Sequence, residues 1–147
     1  MTNKFMLAAI NEAQKAAAMG EVPVGAVIVK DDKIIVSAHN QRETAKDPMG
    51  HAELIAIKKA CDVLGSRRLS DCDLYVTLEP CPMCAGGVIN SFIRAVYFGA
   101  FDLKNGALGS VCDLSLEKFT HRPNVYGGIM QDECSALMTD FFTELRN

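Results

Sequence analysis

The sequence predicts a three-layer α/β/α domain built on a mixed five-stranded sheet. Three observations lead there. A hairpin signal, VPVGAVIVKDDKIIVSAHN, sets two β-branched runs on either side of a short polar turn. A β-α-β-α-β alternation follows through the middle of the chain, and right-handed crossover helices in such units join parallel strands. Helical periodicity at both ends supplies further cover for the sheet.

The first element, residues 3–19, places Met6, Ala9, Ile10, Ala13 and Ala17 on one helical face. Asn3 has the side chain of an N-cap, and Gly20 that of a stop. The hairpin strands are expected at Val24–Val29 and Lys33–Ala38, with the turn at Lys30–Asp32. Asn40 to Gly50 reads as a polar loop holding Pro48, which continues a preceding helix poorly. From His51 the apolar spacing becomes helical through Ala52, Ile55, Ala56, Lys59 and Val63, and Gly65 ends it. DLYVTL (Asp73–Leu78) is a short strand, and PMCAGGVINS a helix with Pro82 in its first turn, where no N–H is needed. AVYFG (Ala95–Gly99) is the next strand. After an irregular stretch from Ala100 to Pro123, NVYGGI (Asn124–Ile129) is expected as the last. The closing helix, Asp132–Leu145, puts Leu137, Met138, Phe141 and Leu145 on its buried side.

The chain has 147 residues, enough for one domain with a real core, and residues 1–147 are expected to form one. Hydrophobic residues make up 49% and charged residues 22%, the balance of an ordinary globular protein. A net charge of −3 announces no nucleic-acid partner, so any such surface has to be a local basic patch. No apolar run reaches the roughly 18 residues of a membrane span. The six cysteines lack the density of a secreted disulfide scaffold, which points to a reducing, cytoplasmic compartment.

Cys81 and Cys84 stand three apart at a helix start. Such a pair serves half of a structural zinc site, a dithiol redox centre, or two of three ligands to a catalytic metal. His51 opens the preceding helix. Helix starts and strand ends share one edge of a parallel sheet, so His51 and the two thiolates are able to meet. A fourth close cysteine or histidine is missing from the pattern, which disfavours structural zinc; a dithiol centre leaves His51 and Glu53 unexplained. With one neutral imidazole and two thiolates the charge of a zinc ion is already cancelled, so its water needs a base. Glu53, beside the ligand without being one, is the residue type for that task.

His-Ala-Glu followed by Pro-Cys-Pro-Met-Cys resembles the signature of the zinc nucleobase deaminases. The likeness is wider than the signature. GEVPVGAVIV (Gly20–Val29), LYVTLEPCPMCAGG (Leu74–Gly87), FGAFDLKNGALGS (Phe98–Ser110) and DECSALMTDFF (Asp132–Phe142) resemble, in order, blocks of the bacterial tRNA-specific adenosine deaminases. The resemblance implies a cytidine deaminase-like fold, a homodimer, one zinc per subunit and no organic cofactor. It implies conversion of adenosine to inosine at the wobble position of a tRNA anticodon stem-loop. Carried over by position, His51, Cys81 and Cys84 hold zinc and Glu53 moves protons. Asn40 contacts the purine or its ribose, Val22 lines the base pocket, and Asp102 helps hold flanking nucleotides. The chain departs from the family at FFTELRN, where relatives carry a longer basic tail.

Two other readings stay open on the residues alone, the first with the same chemistry on another substrate and the second from a different class. Deaminases of free guanine or cytosine share both motifs, and a zinc-stabilised RNA-binding subunit would need no Glu53. Cys61, Cys72, Cys112 and Cys134 are expected as thiols without a role, and His39 and His121 as side chains outside the metal site.

Overall fold

A computed structural model describes residues 2–146. Its elements in chain order are α1 (Lys4–Ala18), β1 (Gly25–Lys30), β2 (Lys33–His39), α2 (Ala52–Leu64), β3 (Cys72–Leu78), α3 (Pro82–Asn90), β4 (Ala95–Ala100), a 3-10 turn (Leu114–Leu116), β5 (Asn124–Tyr126) and α4 (Gln131–Leu145). Asn3 caps α1 as its residue type suggests, its Oδ1 accepting from the Phe5 and Met6 amides at 3.0 and 2.9 Å. Gly65 ends α2 in the left-handed region at φ 63°.

The strands form one sheet in the order β2-β1-β3-β4-β5. β1 is antiparallel to both its neighbours, whereas β3, β4 and β5 run parallel. The crossover expected to join β2 and β3 as neighbours therefore spans β1, although those two strands do point the same way. The reason lies in burial. GAVIV of β1 is buried on both faces and takes a central position, while β2 exposes Lys33 and Ile34 and lies at the edge. Asp31 and Asp32 both have positive φ, 52° and 61°, the turn geometry that suits a two-residue hairpin.

Two cores lie on opposite faces. Ala26, Ile28, Leu74, Val76, Val96 and Phe98 point from the sheet toward α2 and α3, meeting Ala52, Ala56, Ala60, Ala85 and Val88. Val27, Val29 and Tyr75 point the other way, toward Met6, Ala9 and Ile10 of α1 and Cys134 of α4. The three layers are thus as expected.

Some helix faces are rotated from their periodicity. α2 buries Glu53 and Ile57 in place of Lys59 and Val63, and Val63 is 62% exposed. In α1 Ala16, not Ala17, is fully buried. On α4 only Cys134 is buried, with Leu137, Met138 and Phe141 half-buried and Leu145 67% exposed. Because β2 and β3 point the same way, the chain enters α2 and α3 from the same edge of the sheet. That edge carries the site.

Candidate active site

His51 and Cys81 occupy equivalent places, each the extended residue immediately before a helix, α2 and α3 respectively. Neither side chain caps its own helix, so both are left to face outward from the helix start. The first amide of α2 is met instead by Asn40, whose buried Oδ1 accepts from Ala52 N–H at 2.9 Å. Pro82 at the start of α3 leaves one fewer amide to satisfy.

The donor atoms of His51, Cys81 and Cys84 all lie within 4.8 Å of one another. His51 Nδ1 is 3.7 Å from Cys81 Sγ and 3.5 Å from Cys84 Sγ. A tetrahedral zinc with ordinary Zn–N and Zn–S lengths sets its nitrogen and sulfur ligands about 3.6 Å apart. The three residues therefore fit zinc in both chemistry and spacing. Among the described residues no other His, Cys, Asp or Glu group forms such a cluster, so three protein donors leave a fourth position open.

Electrostatics in the metal-free chain follow from crowding. A hydrogen bond from Cys84, working against burial and aided by His51, holds the Cys81 thiol down to about 4. The reciprocal hydrogen bond to Cys81, with burial, pushes Cys84 up. His51 is raised by its hydrogen bond with Cys81, partly opposed by burial. One proton is thus shared between two sulfurs, the arrangement a divalent cation replaces when it takes both as thiolates. Glu53 is 4% exposed, and burial, outweighing its own backbone amide and His51, pushes its carboxyl up to about 7.

A cavity of 430 Å³ opens over this cluster, within the usual size of a small-molecule site. His51, Glu53 and Cys81 line it together with Val22, Asn40 and Asp102. Every residue carried over for substrate contact thus reaches the same space, and of the metal and proton-transfer set only Cys84, fully buried beneath, does not. Asn40 also serves α2, a second use that its sequence position left open. Arg42, Asn105 and Met138 line the cavity as well, without a motif to mark them. Phe142 does so at 40% exposure, at the rim.

Other polar residues settle elsewhere. His39 Nδ1 pairs with Glu12 at 3.0 Å, and His121 Nε2 meets the Ile93 carbonyl at 2.6 Å, so neither takes part in the cluster. Three buried acids went unmarked in the sequence: Glu12, which pairs with His39, and Glu21 and Glu79, at 1% and 2% exposure. Burial alone would raise the Glu21 carboxyl. The Thr44 hydroxyl and amide, the Glu43 amide and the Arg42 charge outweigh it and hold it below its ordinary value. Glu21 thereby ties down the turn after Arg42.

The fold and site have relatives. A tRNA-specific adenosine deaminase of Bacillus subtilis is 49% identical over 97% of this chain and 89% of its own length. One from Aquifex aeolicus is 45% identical over 97% and 95%. A solved structure, described under A-to-I editing by deaminases at the wobble position of transfer RNA, is 42% identical with a TM-score of 0.87. It covers 91% of this chain and 98% of that one. The cytidine and deoxycytidylate deaminase zinc-binding region matches residues 1–100, a span that includes His51, Glu53, Cys81 and Cys84. With that match over more than half its length, the chain belongs to the zinc-binding cytidine and deoxycytidylate deaminase family.

Proposed function

We propose that the chain is a zinc-dependent hydrolase that converts adenosine to inosine at the wobble position of a tRNA anticodon. The observation that carries the chemistry is the three-donor cluster with a buried, non-ligating carboxylate beside it at the floor of one cavity. The choice of substrate is supported by relatives named for it that match along nearly the whole chain.

His51, Cys81 and Cys84 would hold zinc, which when bound would make a water acidic enough to serve as the nucleophile. Glu53 takes a proton from that water and gives it to the ring nitrogen next to carbon 6. It then takes the proton of the hydroxyl added at carbon 6 and delivers it to the departing amino group, so adenosine and water become inosine and ammonia. A carboxyl poised near neutrality suits a group that must both accept and donate. Val22 flanks the purine face, and Asn40 meets its polar edge or ribose. Asp102 meets the neighbouring nucleotides. The target base has to leave the stack to enter the cavity, which favours an unpaired loop nucleotide.

On this reading residues 1–147 form one deaminase domain, acting as a homodimer in the cytoplasm. Among the described residues no helix is long and apolar enough to cross a membrane.

The test is direct. The zinc-loaded protein is incubated with an anticodon stem-loop carrying a wobble adenosine and, separately, with free guanine and free cytosine. Inosine and ammonia are then measured. The reading expects inosine in the stem-loop. Turnover of a free base with none of the stem-loop would reject the substrate, and full activity in Glu53→Ala would reject the mechanism. A wild-type chain that binds the stem-loop and forms no product would be a binding subunit.

A further inference from the structure

Glu79 lines the same cavity, yet the chemistry above gives it no task. It is 2% exposed and carries no cationic partner among the described salt bridges. Its carboxylate instead accepts four hydrogen bonds, all from one loop. Oε1 accepts from Asp102 N–H at 3.1 Å and from the Ser110 hydroxyl. Oε2 accepts from Leu108 N–H at 3.1 Å and Ser110 N–H at 3.0 Å. Gly106 lies so close that a Cβ there would fall 2.3 Å from the Glu79 carboxyl carbon. The next residue, Ala107, donates its amide to the Pro80 carbonyl at 2.9 Å. The loop from 102 to 110 is thus folded around one side chain, on the segment that leads into Cys81.

That loop carries Asp102 and Asn105 into the cavity. Asp102 is further set by its own turn, Oδ1 accepting from the Lys104 and Asn105 amides at 3.1 Å each. We propose that Glu79 is a positioning residue for substrate: its carboxylate fixes the 102–110 loop, and with it Asp102 and Asn105, against the metal-binding segment. The inference rests on the tRNA reading for the identity of that substrate.

The geometry demands a carboxylate rather than a side chain of that shape. Each oxygen already accepts two donors, so glutamine in either orientation turns one acceptor into a donor facing two others. Aspartate is one methylene too short to reach the same four groups. Loss of the clamp releases groups that bind substrate, while the zinc donors and Glu53 keep their own supports. The effect belongs in KM rather than in kcat.

The experiment compares wild type, Glu79→Gln and Ser110→Ala as zinc-loaded full chains on the anticodon stem-loop. It is read by steady-state kinetics, zinc content and amide hydrogen exchange. Glu79→Gln is expected to keep one zinc per chain, raise KM by about tenfold or more, and change kcat by less than about threefold. The amides of Asp102, Leu108 and Ser110 should exchange faster. Ser110→Ala removes one of the donors and should shift KM the same way by a few-fold. An unchanged KM in Glu79→Gln overturns the proposal, as does loss of kcat and zinc together at constant KM. If Glu79→Gln does not fold, Ser110→Ala decides, and unchanged KM and exchange there overturn it. A wild-type chain inactive on the stem-loop sinks the tRNA reading instead. The same comparison is then run on whichever free base turns over, where unchanged KM and exchange still overturn the clamp.

Discussion

Replacing Gly25 with alanine should destabilise this protein more than a single added methyl ordinarily does. Gly25 opens β1 beneath α1, and a Cβ built there lies 2.0 Å from the Ala9 carbonyl oxygen and 2.5 Å from the Ala13 amide nitrogen. Both are helix backbone atoms, so no rotamer change and no side-chain substitution on α1 relieves the overlap. To restore an ordinary 3.4 Å contact from 2.0 Å, the helix has to retreat by about 1.4 Å. That retreat opens the core in which Met6, Ala9 and Ile10 meet Val27, Val29 and Tyr75. It also pulls Glu12 from His39, now 3.0 Å apart. Overpacking of a well-filled site costs about 1–3 kcal/mol, and a backbone overlap belongs at the upper end. Alanine recovers about 0.5–1 kcal/mol of chain entropy relative to glycine in a strand. The net loss is about 2 kcal/mol, a fall in Tm of about 4–8 °C for a chain of this size. Calorimetry on zinc-loaded wild type and Gly25→Ala measures it. A Tm within about 1 °C of wild type would refute the claim that α1 lies on β1 at this point.

Three further outcomes are expected. Cys81→Ser removes one of three metal donors and should lower zinc affinity by more than about 100-fold, read by competition with a chromogenic chelator. Asn40→Ala leaves the buried Ala52 amide unmet and should cost about 1–3 kcal/mol in urea unfolding, whereas Asn40→Asp, which keeps the acceptor, should recover most of that loss. In metal-stripped protein the folded Glu53 holds its proton to about 7, while the ordinary value of such a carboxyl in the unfolded chain is 4.5. The folded state therefore binds the extra proton between those values, and stability falls as pH rises through that window. The total is about 3 kcal/mol, absent below the lower value and complete above the upper one. Glu53→Gln should flatten that part of the profile, and parallel profiles for the two proteins would count against the burial argument.

The metal cluster was legible because its signal is chemical and local. Zinc selects imidazole and thiolate, and His51, Cys81 and Cys84 each sit at or just inside a helix start. Only the meeting of two helix starts had to be supplied, and the alternation of strands and helices implied it. Val22, Asn40 and Asp102 came from resemblance rather than from pattern, and the fold brings all three to one cavity. The position of β1 between β2 and β3 was missed. Its continuous apolar run GAVIV, beside a β2 that begins with Lys33, was the available sign of a central strand next to an edge.

Glu21 and Glu79 could not have been found in this way. An acid destined for burial looks the same in a sequence as one in solvent, since its donors are backbone amides from loops twenty to thirty residues away. Nor does periodicity say which stripe of α2 or α4 meets the sheet, and so Val63 and Leu145 were placed inside while the structure exposes them. Residue chemistry and short-range spacing were enough to name the metal and its donors, because those depend on a few atoms near helix starts. The strand order, the buried loop anchors and the walls of the cavity depend on partners distant in the chain, and folding alone brings those together.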